Sequence, residues 1–264
     1  MISKTLYALL PFCLCLVWAC RSDRNAAKTE SPESALSKNG ITLVPVTDSP
    51  QFPHASLRMH RLRDTGQRPG KVVFDFELEN FYLTQITPDT AQKACANDPR
   101  GQHIRHSLNG APPKSYYIDT TSQVLPEGHY ASMAFLARSY GESVKDINAV
   151  VLHQFNVGKP ANGQDFDLTR PLLFYNQPQG EYKGNDTRRV LLDFFLINTD
   201  LQKDGNRVQA TINGTPFVLD RWTAYFIEGL PDGETSIQLS LLDPQGKPIN
   251  STYNTATQTI RLQK

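Results

Sequence analysis

The chain has 264 residues, of which 27 are Lys or Arg and 26 are Asp or Glu, so its formal net charge is +1 at pH 7. Because no basic block or stripe is present to neutralise phosphates, the sequence excludes a nucleic-acid-binding protein of the usual electrostatic kind. Removal of a 19-residue leader leaves about 245 residues, which is enough for one large domain or two small ones.

The first 19 residues have the features of a cleaved export signal. Lys4 provides a short positive region, and an apolar stretch then runs from Leu6 to Ala19, interrupted by Pro11. The stretch is short for a membrane-spanning helix, which requires about 20 apolar residues. A charged start, a brief apolar core and a small residue at its end predict a signal peptide over residues 1–19.

The end of this segment resembles the lipobox of bacterial lipoproteins. It reads Val17-Trp18-Ala19-Cys20, with an aliphatic residue three positions before the cysteine and a small residue directly before it. The resemblance implies that a peptidase cuts before Cys20 and that Cys20 then carries fatty acyl chains such as palmitate. Two alternatives are an ordinary secretory signal, in which Cys20 has no special role, and an uncleaved membrane anchor.

Residues 20–40 are predicted to be the lipidated cysteine and a flexible linker. The segment after Cys20 contains no aromatic residue, one leucine and many charged or small polar residues, so it buries too little apolar surface to fold. Arg21, rather than Asp, follows the cysteine, and by resemblance to lipoprotein sorting this favours the outer membrane over the inner one. We therefore expect a lipid-anchored protein of the bacterial cell envelope, with the membrane as a partner.

The cysteines exclude two further kinds of structure. Cys13 and Cys15 lie in the predicted signal and Cys20 is the predicted lipidation site, which leaves Cys95 alone. A processed chain of this kind has no intrachain disulfide and no cysteine zinc site. We expect no cofactor.

The rest of the chain contains an internal repeat. Residues 72–80 (VVFDFELEN) recur as residues 190–198 (VLLDFFLIN), displaced by 118 positions. Further anchors recur in the same order at displacements of 104 or 105: Leu108-Asn109-Gly110 as Ile212-Asn213-Gly214, residues 125–128 as 230–233, Gly141 as Gly246, and Phe155 as Ile260. The displacement falls by 14 (118 minus 104), which places an insertion of that size in the first copy. We predict two repeats, 41–159 and 166–264.

The period within each copy is two, which is typical of half-buried strands. Val72, Phe74 and Phe76 alternate with polar residues, and Asn213-Gly214 indicates a tight hairpin. Several short strands over about a hundred residues predict an all-β fold of two tandem immunoglobulin-like β-sandwiches. A single split barrel is the structural alternative. Only the insertion has a helical pattern, over residues 88–97.

The strand predicted over residues 190–198 is apolar on both faces. Leu191, Phe195 and Ile197 stand on the face opposite to that of the repeated apolar positions. One interpretation is a central strand whose outer face packs against the first copy. The other is a patch that binds a partner protein.

The mature chain resembles a group of uncharacterised envelope lipoproteins of Bacteroidota-type bacteria. The residues that carry the resemblance are LVPVTDSPQFP (43–53), GQHI (101–104), LPEG (125–128), SYGESVKD (139–146), QFNVGK (154–159), PLLFYNQPQGEYKG (171–184), ATINGTPF (210–217) and YFIEGLP (225–231). The resemblance implies two immunoglobulin-like units and no established activity. A His-Ile-His sequence tends to occur in the group, whereas here Arg105 replaces the second histidine.

A metal site is a second hypothesis. By strand alternation, His103 and Arg105 fall on the outward face of one strand, whereas His106 faces inward. His129 and Met133 share the outward face of a later strand. Imidazole and thioether groups suit copper. His103, His129 and Met133 are therefore candidate copper ligands on one surface, with Arg105 as a candidate binding residue beside them.

No catalytic motif is present. The chain lacks a G-x-S-x-G elbow, an H-E-x-x-H sequence, a Walker loop and a G-x-G-x-x-G sequence after a strand. A carboxylate repeated in both copies, such as Asp75 and Asp193, is better explained by strand structure than by one active site. We therefore expect a non-catalytic binding or scaffolding module whose partner is an envelope protein or a small ligand. The alternative is a copper-handling lipoprotein.

Overall fold

The computed structural model describes Met1 and residues 35–63, 70–159 and 166–264. The predicted signal peptide, the lipidation site Cys20 and the linker up to residue 34 lie outside the described residues. In chain order, the strands are β1 (Leu36–Lys38), β2 (Ile41–Pro45), β3 (Ser56–Arg63), β4 (Gly70–Glu79), β5 (His103–Leu108), β6 (Lys114–Tyr116), β7 (Thr120–Leu125), β8 (Gly128–Ala137), β9 (Val150–Val157), β10 (Leu172–Gln177), β11 (Glu181–Lys183), β12 (Val190–Ile197), β13 (Arg207–Ile212), β14 (Thr215–Leu219), β15 (Tyr225–Glu228), β16 (Gly233–Leu242) and β17 (Thr255–Gln263). Helix α1 (Thr90–Lys93) lies between β4 and β5, and 3-10 turns occupy Ile147–Ala149 and Gly184–Thr187.

The first repeat forms a sandwich of two antiparallel sheets. One sheet has the order β3-β4-β7 and the other the order β6-β5-β8-β9. The alternation in β4 decides which side is buried, because Val72, Phe74 and Phe76 enter the core while Lys71 and Glu77 remain exposed. Burial of these side chains is the main favourable contribution to the folding of such a sandwich.

The second repeat has the same strand arrangement with additions at two edges. Its sheets contain β10-β12-β15 and β14-β13-β16-β17, which correspond strand by strand to the sheets of the first repeat. Strands β2 and β1 extend the first of these sheets beyond β15, and β11 pairs in parallel with β17. The fold is therefore all-β, with two tandem immunoglobulin-like sandwiches, as the sequence predicted.

The repeated Asn-Gly pairs form matching hairpin turns. Asn109 and Gly110 have positive φ angles of 52° and 71°, and Asn213 and Gly214 have 46° and 79°. Two consecutive positive φ angles are characteristic of the type I′ turn that best matches strand twist. Each asparagine also accepts a hydrogen bond on Oδ1 from a backbone N–H, that of Ala131 for Asn109 at 2.8 Å. Local backbone geometry thus explains why these residues recur.

The strand β2 belongs to the second sandwich, although the sequence analysis placed residue 41 at the start of the first repeat. Ile41 and Leu43 pack in the core of the second sandwich, and β2 pairs antiparallel with β15, with Leu43 opposite Ile227. The strand β1, inside the segment 20–40 predicted to be a flexible linker, pairs with β2. The residues that pair with β2 lie at least 180 positions further along the chain (225 minus 45), so no local pattern identifies them.

The insertion in the first copy contains a helix shorter than predicted. Residues 88–97 were expected to be helical, but α1 has 4 residues. Ala94 has left-handed φ and ψ angles and ends the helix. The remaining insertion residues form turns, so the insertion is mainly a loop held against the sandwiches.

The outer face of β12 packs against the first sandwich. All eight residues of β12 are buried. Phe195 lies 5.4 Å from Phe135 of β8, measured between ring centroids, and Met133, Leu172 and Ile197 belong to the same apolar cluster. The apolar outer face of residues 190–198 is therefore an interface between the two sandwiches rather than a free patch.

No helix within the described residues has the length and apolar character required to cross a lipid bilayer.

Candidate functional site

The three predicted copper ligands do not meet. His103 lies opposite Ala137 in the β5-β8 pairing, whereas His129 lies at the other end of β8. Eight residues separate these two positions of β8, a distance of roughly 26 Å at about 3.3 Å per residue. The proposed site formed by His103, His129 and Met133 is therefore wrong.

The surroundings of His129 and Met133 explain the failure of that site. Met133 is 1% exposed and fills the apolar interface between the sandwiches. His129 stacks on Phe166, with ring centroids 5.2 Å apart, and its Nε2 lies 3.0 Å from Oε1 of Gln154. Both side chains are used in packing. Across the described ranges, no group of three or more His, Cys, Asp or Glu side chains is placed to hold a metal ion.

His103 and Arg105 instead lie in a cleft between the two sandwiches, which we call the junction cleft. It has a volume of about 610 Å³. Its walls come from the insertion, the first sandwich and the second sandwich: Ala96, Asn97, Asp98, Pro99, Arg100, His103, Arg105, Ser115, Ser139, Tyr140, Gly141, Gln177, Gln179, Glu181, Tyr182 and Leu191. Clefts of this size at domain junctions are typical of small-molecule sites.

Arg105 spans the two sandwiches at the wall of the junction cleft. Its Nε and Nη2 donate to the side-chain and backbone oxygens of Asn176 in β10 at 2.9 and 3.0 Å, and its Nη1 donates to Oγ of Ser115 at 2.9 Å. Arg105 is 5% exposed. Burial lowers the pKa of its guanidinium to about 10, so that Arg105 stays charged at neutral pH.

Asn176 connects Arg105 to a buried ion pair. Its Nδ2 donates to Oδ2 of Asp193 at 2.6 Å, and Nζ of Lys145 donates to Oδ1 of the same carboxylate at 2.5 Å. Asp193 is fully buried. Lys145 follows the first sandwich's β8, whereas Asp193 lies in β12 of the second, so the pair joins the two sandwiches.

His103 presents one ring nitrogen to the junction cleft. Its Nδ1 lies 2.9 Å from the carbonyl oxygen of Gly101. A carbonyl can only accept a hydrogen bond, so Nδ1 carries the proton. Burial lowers the pKa of His103 to about 4, and the ring is therefore neutral at pH 7. Nε2 is then a hydrogen-bond acceptor.

The insertion supplies a second polar group at the cleft. Nε and Nη2 of Arg100 donate to the carboxylate of Asp98 at 3.0 and 2.8 Å, and Tyr117 donates its hydroxyl hydrogen to the same carboxylate. The Arg100 guanidinium also lies over the Tyr117 ring, 4.2 Å from its centroid. Hydrogen bonding from Arg100 holds the pKa of Asp98 well below its ordinary value, so the charges of Asp98 and Arg100 balance each other.

Asn97 completes the set of polar groups from the insertion. Its Oδ1 is buried and has no hydrogen-bond partner within the described residues. Asn97, Asp98 and Arg100 are site residues that were not predicted from the sequence. The sequence signal that could have identified them is the change of displacement in the repeat. It marks an insertion in the first copy, and inserted residues are not needed to build a sandwich.

The chain was compared with protein-family models, curated proteins and solved structures. No protein-family model and no curated protein matches the chain. The chain is similar to the solved Clostridium thermocellum CbhA fibronectin(III)-like modules, with 10% identity, a TM-score of 0.28, and coverage of 78% of this chain and 94% of that one.

Two further solved structures are similar to the chain at the same level. The two tandem V-type regions of VCBP3, a v-region-containing chitin binding protein, match with 9% identity and a TM-score of 0.22, covering 80% of this chain and 99% of that one. Domains 4 and 5 of the S-layer protein SbsC match with 9% identity and a TM-score of 0.20, covering 81% of this chain and 100% of that one. Likenesses at this level say nothing about a ligand.

Proposed function

We propose that this chain is a lipid-anchored, non-catalytic binding module of the bacterial cell envelope whose ligand occupies the junction cleft. The observation that carries the proposal is the cleft itself, which is built by both sandwiches and by an insertion that only one of them has. A small envelope ligand fits a volume of about 610 Å³.

The polar groups of the cleft suit binding better than turnover. Ser115 accepts a hydrogen bond from Arg105, and the hydroxyl of Ser139 is hydrogen-bonded to the hydroxyl of Thr90, so neither serine is paired with a histidine base. The nearby Cys95 is half-buried, and this burial raises the pKa of its thiol to about 12. A thiol that stays protonated at neutral pH is a poor nucleophile.

A cleft-filling variant tests the binding role. Ala96 is half-buried in the wall of the junction cleft, so Ala96→Trp should occupy its volume, whereas Ala111 is exposed outside it and Ala111→Trp is the matched control. Saturation-transfer NMR of the full chain in detergent micelles, with a mixture of monosaccharides, amino acids and dipeptides, should show bound compounds for the native chain and for Ala111→Trp. The same signals should be lost in folded Ala96→Trp. Equal signals in all three chains, or none in any, would count against the proposal.

The anchoring part of the proposal rests on the lipobox resemblance at Cys20. In a bacterial host fed an alkyne analogue of palmitate, the native chain should be labelled, and Cys20→Ala should lose the label and remain uncleaved. Cys95→Ala is the matched control and should keep the label, because Cys95 lies in the insertion, partly buried against the sandwiches. Labelling that persists in Cys20→Ala would show that the lipid is attached elsewhere, and absence of label from the native chain would show that it carries no such lipid.

A further inference from the structure

The charges around the junction cleft do not balance, and the surplus is a buried positive charge. Arg105 has no carboxylate within ion-pair distance among the described residues, since its three hydrogen bonds go to Asn176 and Ser115. The nearest buried carboxylate, that of Asp193, is already paired with Lys145. Lys145 thus pairs directly with Asp193, and the buried Arg105 is left without an ion-pair partner among the described residues. A buried charge without a partner is unfavourable unless another group compensates it.

The remaining charged groups of the cleft do not supply this compensation. Asp98 is neutralised by Arg100 at 2.8 Å. Glu181 is exposed at the mouth of the cleft and lies 3.5 Å from Nζ of Lys183. A guanidinium has five N–H donors, and Arg105 uses three of them. Two donors of a buried guanidinium in the cleft wall are therefore available to a ligand.

Next to this cationic group, the cleft offers a hydrogen-bond acceptor. Nε2 of His103 is an acceptor because Nδ1 carries the ring proton. The Oδ1 of Asn97 also has no partner within the described part of the chain, but it is enclosed within the wall rather than exposed to the cleft. His103 and Arg105 are two residues apart on β5, so their side chains share a face about 7 Å apart.

From this arrangement we infer that the junction cleft binds a small organic acid that carries a hydroxyl or amine group a few bonds from its carboxylate. The carboxylate pairs with Arg105, and the hydroxyl or amine donates to Nε2 of His103. Charged hydrogen bonds to a guanidinium are shorter and stronger than neutral ones. The ligand carboxylate thus supplies the missing negative charge at the junction of the two sandwiches. This inference rests on the proposed binding function and specifies its ligand class.

Two pairs of probes test the ligand class on the full chain in detergent micelles. D-glucuronate and L-alanine carry a carboxylate with a hydroxyl or amine nearby, and D-glucose and L-alaninamide are their counterparts without the carboxylate. Titration calorimetry should show binding of at least one acid, at least tenfold tighter than its neutral counterpart. Which acid binds distinguishes a sugar acid from an amino acid as the source.

Variants of the two partner groups locate the bound acid. Arg105→Met should abolish the preference for the acid over its neutral counterpart, and His103→Phe should weaken binding of the acid while keeping that preference. If Arg105→Met fails to fold, the comparison of acid with neutral probe on the native chain decides the matter alone.

Each remaining outcome contradicts the inference in a distinct way. Equal affinity for an acid and its neutral counterpart would show that the carboxylate is not recognised. Binding of only neutral compounds, blocked by Ala96→Trp, would overturn the ligand class and leave the proposed binding function intact. The absence of any binding that Ala96→Trp affects would remove both.

Discussion

The two sandwiches have an aspartate at the same position of the repeat, and the two side chains have different roles. In the first sandwich, Asp75 is half-buried and accepts one hydrogen bond from Oγ1 of Thr120 at 3.1 Å. In the second, Asp193 is fully buried and binds Lys145, Asn176 and the backbone N–H of Ser143. The sheet of Asp75 does not face the other sandwich, whereas the sheet of Asp193 does.

This difference shows that equal positions in a repeat do not imply equal contributions to stability. Strand alternation places both carboxylates on the outer face of their sheets. The packing of the two sandwiches decides what covers that face. The other sandwich covers the outer face of β12 but not the outer face of β4.

The largest expected effect on the free energy of unfolding comes from removal of the buried Asp193 carboxylate. Asp193→Ala leaves Lys145 unpaired in the junction and should lower the free energy of unfolding by about 3–5 kcal/mol. Asp75→Ala, at the matched position, should lower it by no more than about 1 kcal/mol. Urea denaturation followed by the fluorescence of Trp222, which packs beside Phe195, measures both.

A double variant separates loss of the ion pair from loss of packing. Asp193→Ala with Lys145→Met should recover part of the stability lost in Asp193→Ala, because no unpaired charge remains. Equal losses for Asp75→Ala and Asp193→Ala would contradict the distinction between the two sheets.

The next comparison is between the two cores, where His106 of the first sandwich corresponds to Ala210 of the second. His106 is 1% exposed and lies against Phe74, with ring centroids 4.5 Å apart. Burial lowers its pKa from 6.5 to about 4. The unfolded chain therefore binds a proton near pH 6.5 that the folded chain resists until about pH 4, so stability is lost as the pH falls through this window.

The expected loss is about 3 kcal/mol for His106 between pH 7 and pH 4, and His103, whose pKa is lowered by burial in the same way, should add a similar loss. His106→Phe should reduce the acid-induced loss, whereas His54→Gln, at an exposed position, should not. Denaturant titrations at several pH values measure these changes. Identical pH dependence in the native chain and in His106→Phe would show that His106 does not carry the effect.

The smallest expected effect compares the two hairpin turns. Gly110 and Gly214 both have positive φ angles, so an alanine at either position should cost about 1 kcal/mol. At Gly110 the new Cβ would also lie 2.7 Å from Cδ1 of Tyr253 in the second sandwich, whereas at Gly214 nothing lies within 4 Å. Gly110→Ala should therefore cost about 2–3 kcal/mol. Thermal unfolding of both variants tests the difference, and equal melting temperatures would mean that the Tyr253 ring moves aside freely.

The candidate site was predictable from the sequence only in part. Arg105 and His103 stood out because Arg105 departs from the His-Ile-His pattern, and the structure places both in the junction cleft. His129 and Met133, which were predicted to be copper ligands together with His103, lie elsewhere. The prediction was wrong because strand alternation gives the face of a residue but not its position relative to residues of other strands. Asn97, Asp98 and Arg100 lie in an irregular loop, where no periodicity identifies them.

The sequence by itself determined the features that depend on near neighbours along the chain. The alternation of β4, the Asn-Gly hairpins and the repeat all follow from the period of two and from backbone angles that a few residues require. The tertiary structure alone decided that β2 joins β15 and that the outer face of β12 is buried against the first sandwich. It also decided that Arg105 lies beside Asn176 with no carboxylate partner among the described residues. These features depend on contacts between residues that are far apart in sequence. Such contacts form only when the whole chain folds and its apolar surfaces are buried together.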